Sequence, residues 1–97
     1  MDMVVKDLFG NRLCTIENIG SDVVAKDLFG NRLCTIENIG GDVVVKDLYG
    51  NRKCIIESNG TVKDLYGNRL HIIESDGTVK DLYGNRIYII DNYRGFH

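Results

Sequence analysis

Lys80-Asp81-Leu82-Tyr83-Gly84-Asn85-Arg86 is the stretch whose reading decides the fold. Its Asp and its Gly sit at the first and fourth places of a type I turn, and the Gly can take the positive φ that a G1 bulge requires. A loop of this kind reverses the chain within three residues, so antiparallel strands are predicted on either side of it, over 78–81 and 86–91. Both flanks are rich in β-branched residues, which suit a pleated surface.

The same heptapeptide occurs five times, as KDLFGNR at 6–12 and 26–32 and as KDLYGNR at 46–52, 63–69 and 80–86. Each copy is followed by a run that ends in Ile and an acid: LCTIE, LCTIE, KCIIE, LHIIE and IYIID. Successive motif Asp residues lie 20, 20, 17 and 17 positions apart, so the first two linkers carry three extra residues. Self-similarity at a fixed step is the mark of a repeat architecture. In the later copies Glu-Ser-Asn-Gly-Thr at 57–61 and Glu-Ser-Asp-Gly-Thr at 74–78 repeat the turn chemistry between hairpins. The longer linkers, Asn-Ile-Gly-Ser-Asp and Asn-Ile-Gly-Gly-Asp, are expected to be looser versions of that second turn.

The prediction is one all-β domain over 1–97, built from five tandem antiparallel β-hairpins with about ten short strands and units near 3–22, 23–42, 43–60, 61–77 and 78–97. Glycines at short intervals and the lack of a sustained 3.6-residue period disfavour helix. Pairing Asp81 with Asn85 sets Lys80 opposite Arg86 and Val79 opposite Ile87. Return-strand runs such as Cys54, Ile55 and Ile56, or Tyr88, Ile89 and Ile90, are apolar on both faces and are expected to be covered on two sides. An odd period of 17 would turn equivalent side chains to opposite faces in successive copies, so a bulge or reorientation is needed in each unit. Isolated hairpins are marginal and open edges are sticky. Closure around an axis answers both problems, with 3–5 beside 89–91.

A repeated strand, Asp-x-x-Gly-Asn turn and second strand ending in an aromatic or Ile pair resembles the bacterial β-flower domains. The resemblance implies hairpin petals around a pseudo-symmetry axis, and it brings no established activity. Those domains are described as fourfold, whereas this chain has five units.

Composition bounds the rest. With 97 residues, 43% hydrophobic and 27% charged, the chain has enough apolar matter for one small core. The net charge of −2 gives no general attraction for a phosphate backbone, so nucleic acid is not expected as a partner. No apolar run nears the roughly 20 residues that span a bilayer, and the start MDMVVKD is unlike a signal peptide, so neither membrane nor export is expected. Cys14, Cys34 and Cys54 are an odd number 20 residues apart, which suits free thiols and a cytoplasmic location.

Three columns of the repeat could carry chemistry. Lys6, Arg12, Lys26, Arg32, Lys46, Arg52, Lys63, Arg69, Lys80 and Arg86 form cross-strand basic pairs, which could bind carboxylate or phosphate groups, with Arg giving bidentate contacts. The structural alternative is that an acid of the neighbouring hairpin neutralises them. Phe9, Phe29, Tyr49, Tyr66 and Tyr83 occupy the turns and could serve as platforms for sugar rings, although packing on the next unit is the favoured role. Cys14, Cys34, Cys54 and His71 share a strand position with Tyr88. Packing explains them better than metal binding does, because ligands must approach one ion to about 2.0–2.3 Å.

The motif residues Asp7, Asp27, Asp47, Asp64 and Asp81 have a sufficient role as turn acceptors. The only other histidine is His97, and Ser21, Ser58 and Ser75 fall in linkers, so no residue is marked as a catalytic nucleophile. No phosphate-binding loop or zinc motif occurs, and no cofactor is expected. The expectation is a non-enzymatic repeat module for multivalent binding or assembly, with an anionic or glycan ligand or a homo-oligomer as its partner. A structural oligomerisation protein without a ligand is the alternative, and a Cys/His metal protein stands behind both.

Overall fold

The structure is a computed structural model and describes residues 2–20 and 22–96, which leaves Met1, Ser21 and His97 outside it. Ten strands follow in chain order: β1 (Met3–Lys6), β2 (Arg12–Ile19), β3 (Asp22–Lys26), β4 (Arg32–Ile39), β5 (Asp42–Lys46), β6 (Arg52–Ile56), β7 (Thr61–Lys63), β8 (Arg69–Ile73), β9 (Thr78–Lys80) and β10 (Arg86–Asp91). Every neighbour is antiparallel and β1 pairs with β10, so the five hairpins close into a barrel. At the seam Val4 lies opposite Asp91, Val5 opposite Ile90 and Lys6 opposite Ile89, as the expected end-to-end meeting of hairpins requires. Closure leaves no unpaired sheet edge in this ring.

Each hairpin carries one irregularity. Lys6 lies opposite Arg12 and Val5 opposite Cys14, so Leu13 is left over as a bulge. Leu33, Lys53, Leu70 and Ile87 hold the same position in the other units. Between the units spaced by 17 this is the reorientation that the odd period demanded, and it corrects the predicted register by one residue, since Val79 lies opposite Tyr88 rather than Ile87. The extra residue lets Arg86 share the outer face with Lys80 while Tyr88 turns to the inner face with Val79.

The inner face holds the core. Met3, Ile16, Ala25, Ile36, Val43, Ile56, Ile73, Val79 and Ile90 form one buried cluster, to which Val62 of β7 adds the last strand. Burying each larger side chain contributes about 1.5–3 kcal/mol. The return strands are not covered on two sides as expected, because the barrel is a single layer of sheet. Ile55 and Ile89, on the outer face, are only half-buried. Val24 and Val44 are nevertheless buried on that outer face, opposite Glu17 and Thr35 and opposite Glu37 and Ile55 respectively.

The two kinds of linker differ in a way that corrects the sequence reading. The longer ones are not looser. Their extra residues extend the β2–β3 and β4–β5 ladders to Ile19 opposite Asp22 and Ile39 opposite Asp42. At the second of these arms Gly40 and Gly41 both have positive φ, the requirement of a tight type I′ turn. The shorter linkers turn as predicted, with Gly60 N–H donating to Glu57 O at 2.9 Å and Gly77 N–H to Glu74 O at 2.9 Å.

Candidate functional site

All five Asp-x-x-Gly-Asn loops lie at one end of the barrel, since every hairpin turns there and every linker turns at the other end. In the first loop the Asp7 N–H donates to Asn11 O at 3.0 Å and the Gly10 N–H to Asp7 O at 3.2 Å. Asp7 Oδ1 accepts the N–H groups of Phe9 and Asn11, each at 2.9 Å, and Oδ2 accepts Asn11 Nδ2 at 3.0 Å. Asp27, Asp47, Asp64 and Asp81 repeat this set. These bonds favour the ionised form and hold the five carboxyls below their ordinary range. The Asn11 side chain is the largest cause at Asp7, and the backbone N–H of the loop Asn is the largest at the other four. The Asp is therefore occupied by its turn.

The turn also decides where the aromatic ring goes. Phe9, Phe29, Tyr49, Tyr66 and Tyr83 are 90–91% exposed and do not pack on the next unit, contrary to the favoured sequence reading. The ring stands at the apex of a loop whose strands pair only as far as Lys and Arg, so no neighbouring strand reaches it. The adjacent Leu8, Leu28, Leu48, Leu65 and Leu82 are about half-exposed.

The basic pairs separate into two roles. Each Lys reaches the acid that follows the buried return-strand isoleucine (Ile16, Ile36, Ile56 or Ile73) of the preceding hairpin. Lys26 Nζ lies 3.7 Å from Glu17, Lys46 2.7 Å from Glu37, Lys63 3.0 Å from Glu57 and Lys80 3.0 Å from Glu74. Lys6 makes the same contact across the seam with Asp91. The neighbouring hairpin thus supplies the counter-charge for lysine, and each such surface pair adds only about 0.2–1 kcal/mol. Arg12, Arg32, Arg52, Arg69 and Arg86 are exposed and take part in no ion pair among the described residues.

The Cys column lies on the inner face at the same end of the barrel. Cys14, Cys34, Cys54, His71 and Tyr88 stand opposite Val5, Ala25, Val45, Val62 and Val79. The three thiols are free and half-buried, and burial pushes their pKa values up, with Cys34 adding to the effect at Cys14 and Cys54. A thiol kept protonated is a poor nucleophile and a poor metal ligand. No three His, Cys, Asp or Glu come together at ion-binding spacing among the described residues. Consecutive members of the column have a strand between them, about 9–10 Å at two strand spacings.

Sequence reasoning missed the opposite mouth. After β10 the chain leaves the sheet at Asn92, which has a φ of 60°, and crosses the linker end. Tyr93 and Phe96 pack against the core cluster and meet edge to face, with ring centroids 5.7 Å apart at 71°. Asn38 Nδ2 donates to Phe96 O at 3.0 Å, and Asn92 Nδ2 to Asp2 O at 3.2 Å. A cavity of about 460 Å³ lies on one side, bordered by Ser58, Asn59, Ile73 and Tyr93. Another of about 320 Å³ lies on the other, bordered by Met3, Asn18, Ile36 and Phe96. The signal was the break in the repeat after Asp91, where two aromatics stand outside every repeat column.

No family model, curated protein or solved structure matches this chain.

Proposed function

We propose that the protein is a non-enzymatic recognition module that offers five equivalent sites at its tip end to a repeated anionic or carbohydrate ligand. The observation that carries this reading is the division of labour within each basic pair, lysine being neutralised by a neighbouring acid while arginine stays exposed and takes part in no ion pair among the described residues, in the same hairpin as an exposed aromatic ring. An unpaired guanidinium offers a planar fork to carboxylate, sulfate or phosphate, and an aromatic face accepts the apolar side of a sugar ring. Five linked sites gain roughly 10²–10⁴ in apparent affinity when a polymer engages several together. The reducing interior of a cell suits the three free thiols, and the likeness to β-flower domains fits the petal arrangement.

Titration of the full chain against immobilised acidic and neutral polysaccharides tests the proposal. Saturable binding is expected, weakening progressively as Arg12, Arg32, Arg52, Arg69 and Arg86 are changed to Gln one after another. Absence of binding across the panel, or binding indifferent to those changes, removes it. A second reading, self-association through the half-exposed Leu and exposed aromatic tips, is favoured by the ten large apolar side chains presented there. Sedimentation separates the two, since a strict monomer at high concentration opposes self-association.

A further inference from the structure

The linker-end mouth is larger than the segment that fills it, and we infer that it is a binding cup for a short aromatic peptide, occupied in this chain by its own detachable tail. Three observations lead there. The barrel is already closed by the β1–β10 pairing before the tail begins, so residues 92–96 are not needed to complete the sheet. The tail joins no strand, and its described side-chain tethers to the barrel are the bond from Asn38 to the Phe96 carbonyl and the bond from Asn92 to the Asp2 carbonyl at its base. Unfilled space of about 460 and 320 Å³ flanks it on both sides, and Arg94 and Gly95 border both cavities.

The chemistry of the occupant shows what the cup accepts. Tyr93 and Phe96, three residues apart, turn toward the apolar floor with Met3 and Ile36, while Arg94 between them stays exposed. Asn38, on the longer β4 arm, holds a backbone carbonyl, a contact that any peptide can make. The cup's ligand class is therefore a segment with two aromatic side chains at this spacing and a polar residue between them. The attached tail acts at an effective concentration of about millimolar, which excludes a free segment present at micromolar levels. This site is independent of the tip-end arginines and aromatics.

Fluorescence anisotropy with a labelled synthetic peptide of residues 91–97 tests the inference on the full-length chain. The Tyr93→Ala/Phe96→Ala double variant keeps the barrel but surrenders the plug, and it is expected to bind the peptide at least about tenfold more tightly than the parent does. A peptide with both aromatics replaced by Ala is expected not to bind. A variant that is folded by circular dichroism but shows no saturable binding overturns the cup. Should the double variant fail to fold, hydrogen exchange on the parent decides. Amides of 92–96 that exchange well before those of β2 and β4 support a detachable plug, and amides that exchange only with global unfolding show an integral part of the core and sink it.

Discussion

At the tip end, five loops repeat one set of hydrogen bonds and expose the same ring, leucine and guanidinium. At the linker end, two arms reach out to Ile19 and Ile39, two turns close tightly at Gly60 and Gly77, and the last connection is replaced by the tail. A hairpin loop needs nothing from its neighbours, so its sequence can be copied without adjustment. The other mouth opens onto a shared apolar interior, against which Tyr93 and Phe96 of the tail pack. Symmetry survives where each unit is self-sufficient and breaks where the units must jointly close a space.

The sharpest way to break this comparison is to place the same substitution at both ends. A Cβ at Gly60 would lie 2.2 Å from the Ile73 carbonyl oxygen, and one at Gly77 2.3 Å from that of Ile90, whereas one at Gly84 meets nothing within 4 Å. All three glycines have positive φ. Gly60→Ala is expected to cost about 3–5 kcal/mol in urea denaturation and Gly84→Ala about 1–2 kcal/mol, since only the first adds a backbone clash to the conformational strain. Equal costs would mean that the Gly60 turn is no more crowded than the tip loop at Gly84.

A collective effect follows. The five tip carboxyls have folded pKa values below their unfolded ones, so their contribution is fully present above the unfolded value, near about pH 4. It is lost as pH falls through the depressed folded values. Acid titration of thermal stability should show this limb, and changing all five Asp to Asn should flatten it. Next comes Phe96→Ala, which removes a half-buried ring and is expected to cost about 1 kcal/mol with the strand spectrum unchanged. Lys46→Ala is smaller still, about 0.5 kcal/mol or less and diminished by salt, because its bridge to Glu37 is partly exposed. Tyr66→Ala should leave stability within about 0.5 kcal/mol of the parent, which would separate any loss of ligand binding from loss of fold.

Much of the fold was legible because each turn carries its own instructions. Asp, Gly and Asn within one loop specify the reversal locally, and five such loops leave few ways to pair the intervening strands. The seam between Val4 and Asp91 followed from that count. The bulge at Ile87 was legible as a necessity but not as a position, since the period requires an extra residue without saying where the twist will place it. The exposure of Tyr83 and the separate fates of Lys80 and Arg86 depend on how far neighbouring hairpins reach across the barrel wall, which composition does not encode. The roles of Tyr93 and Phe96 escaped because a repeat search gives weight to what recurs.

The contact between Lys6 and Asp91 is the one that every other pair of adjacent units makes, so the β1–β10 seam is, mechanically, an ordinary joint. A gene rearranged to begin within any other linker, with residues 91 and 3 spliced by a short connector, should therefore encode the same ring, and the order of the petals becomes a choice open to the engineer.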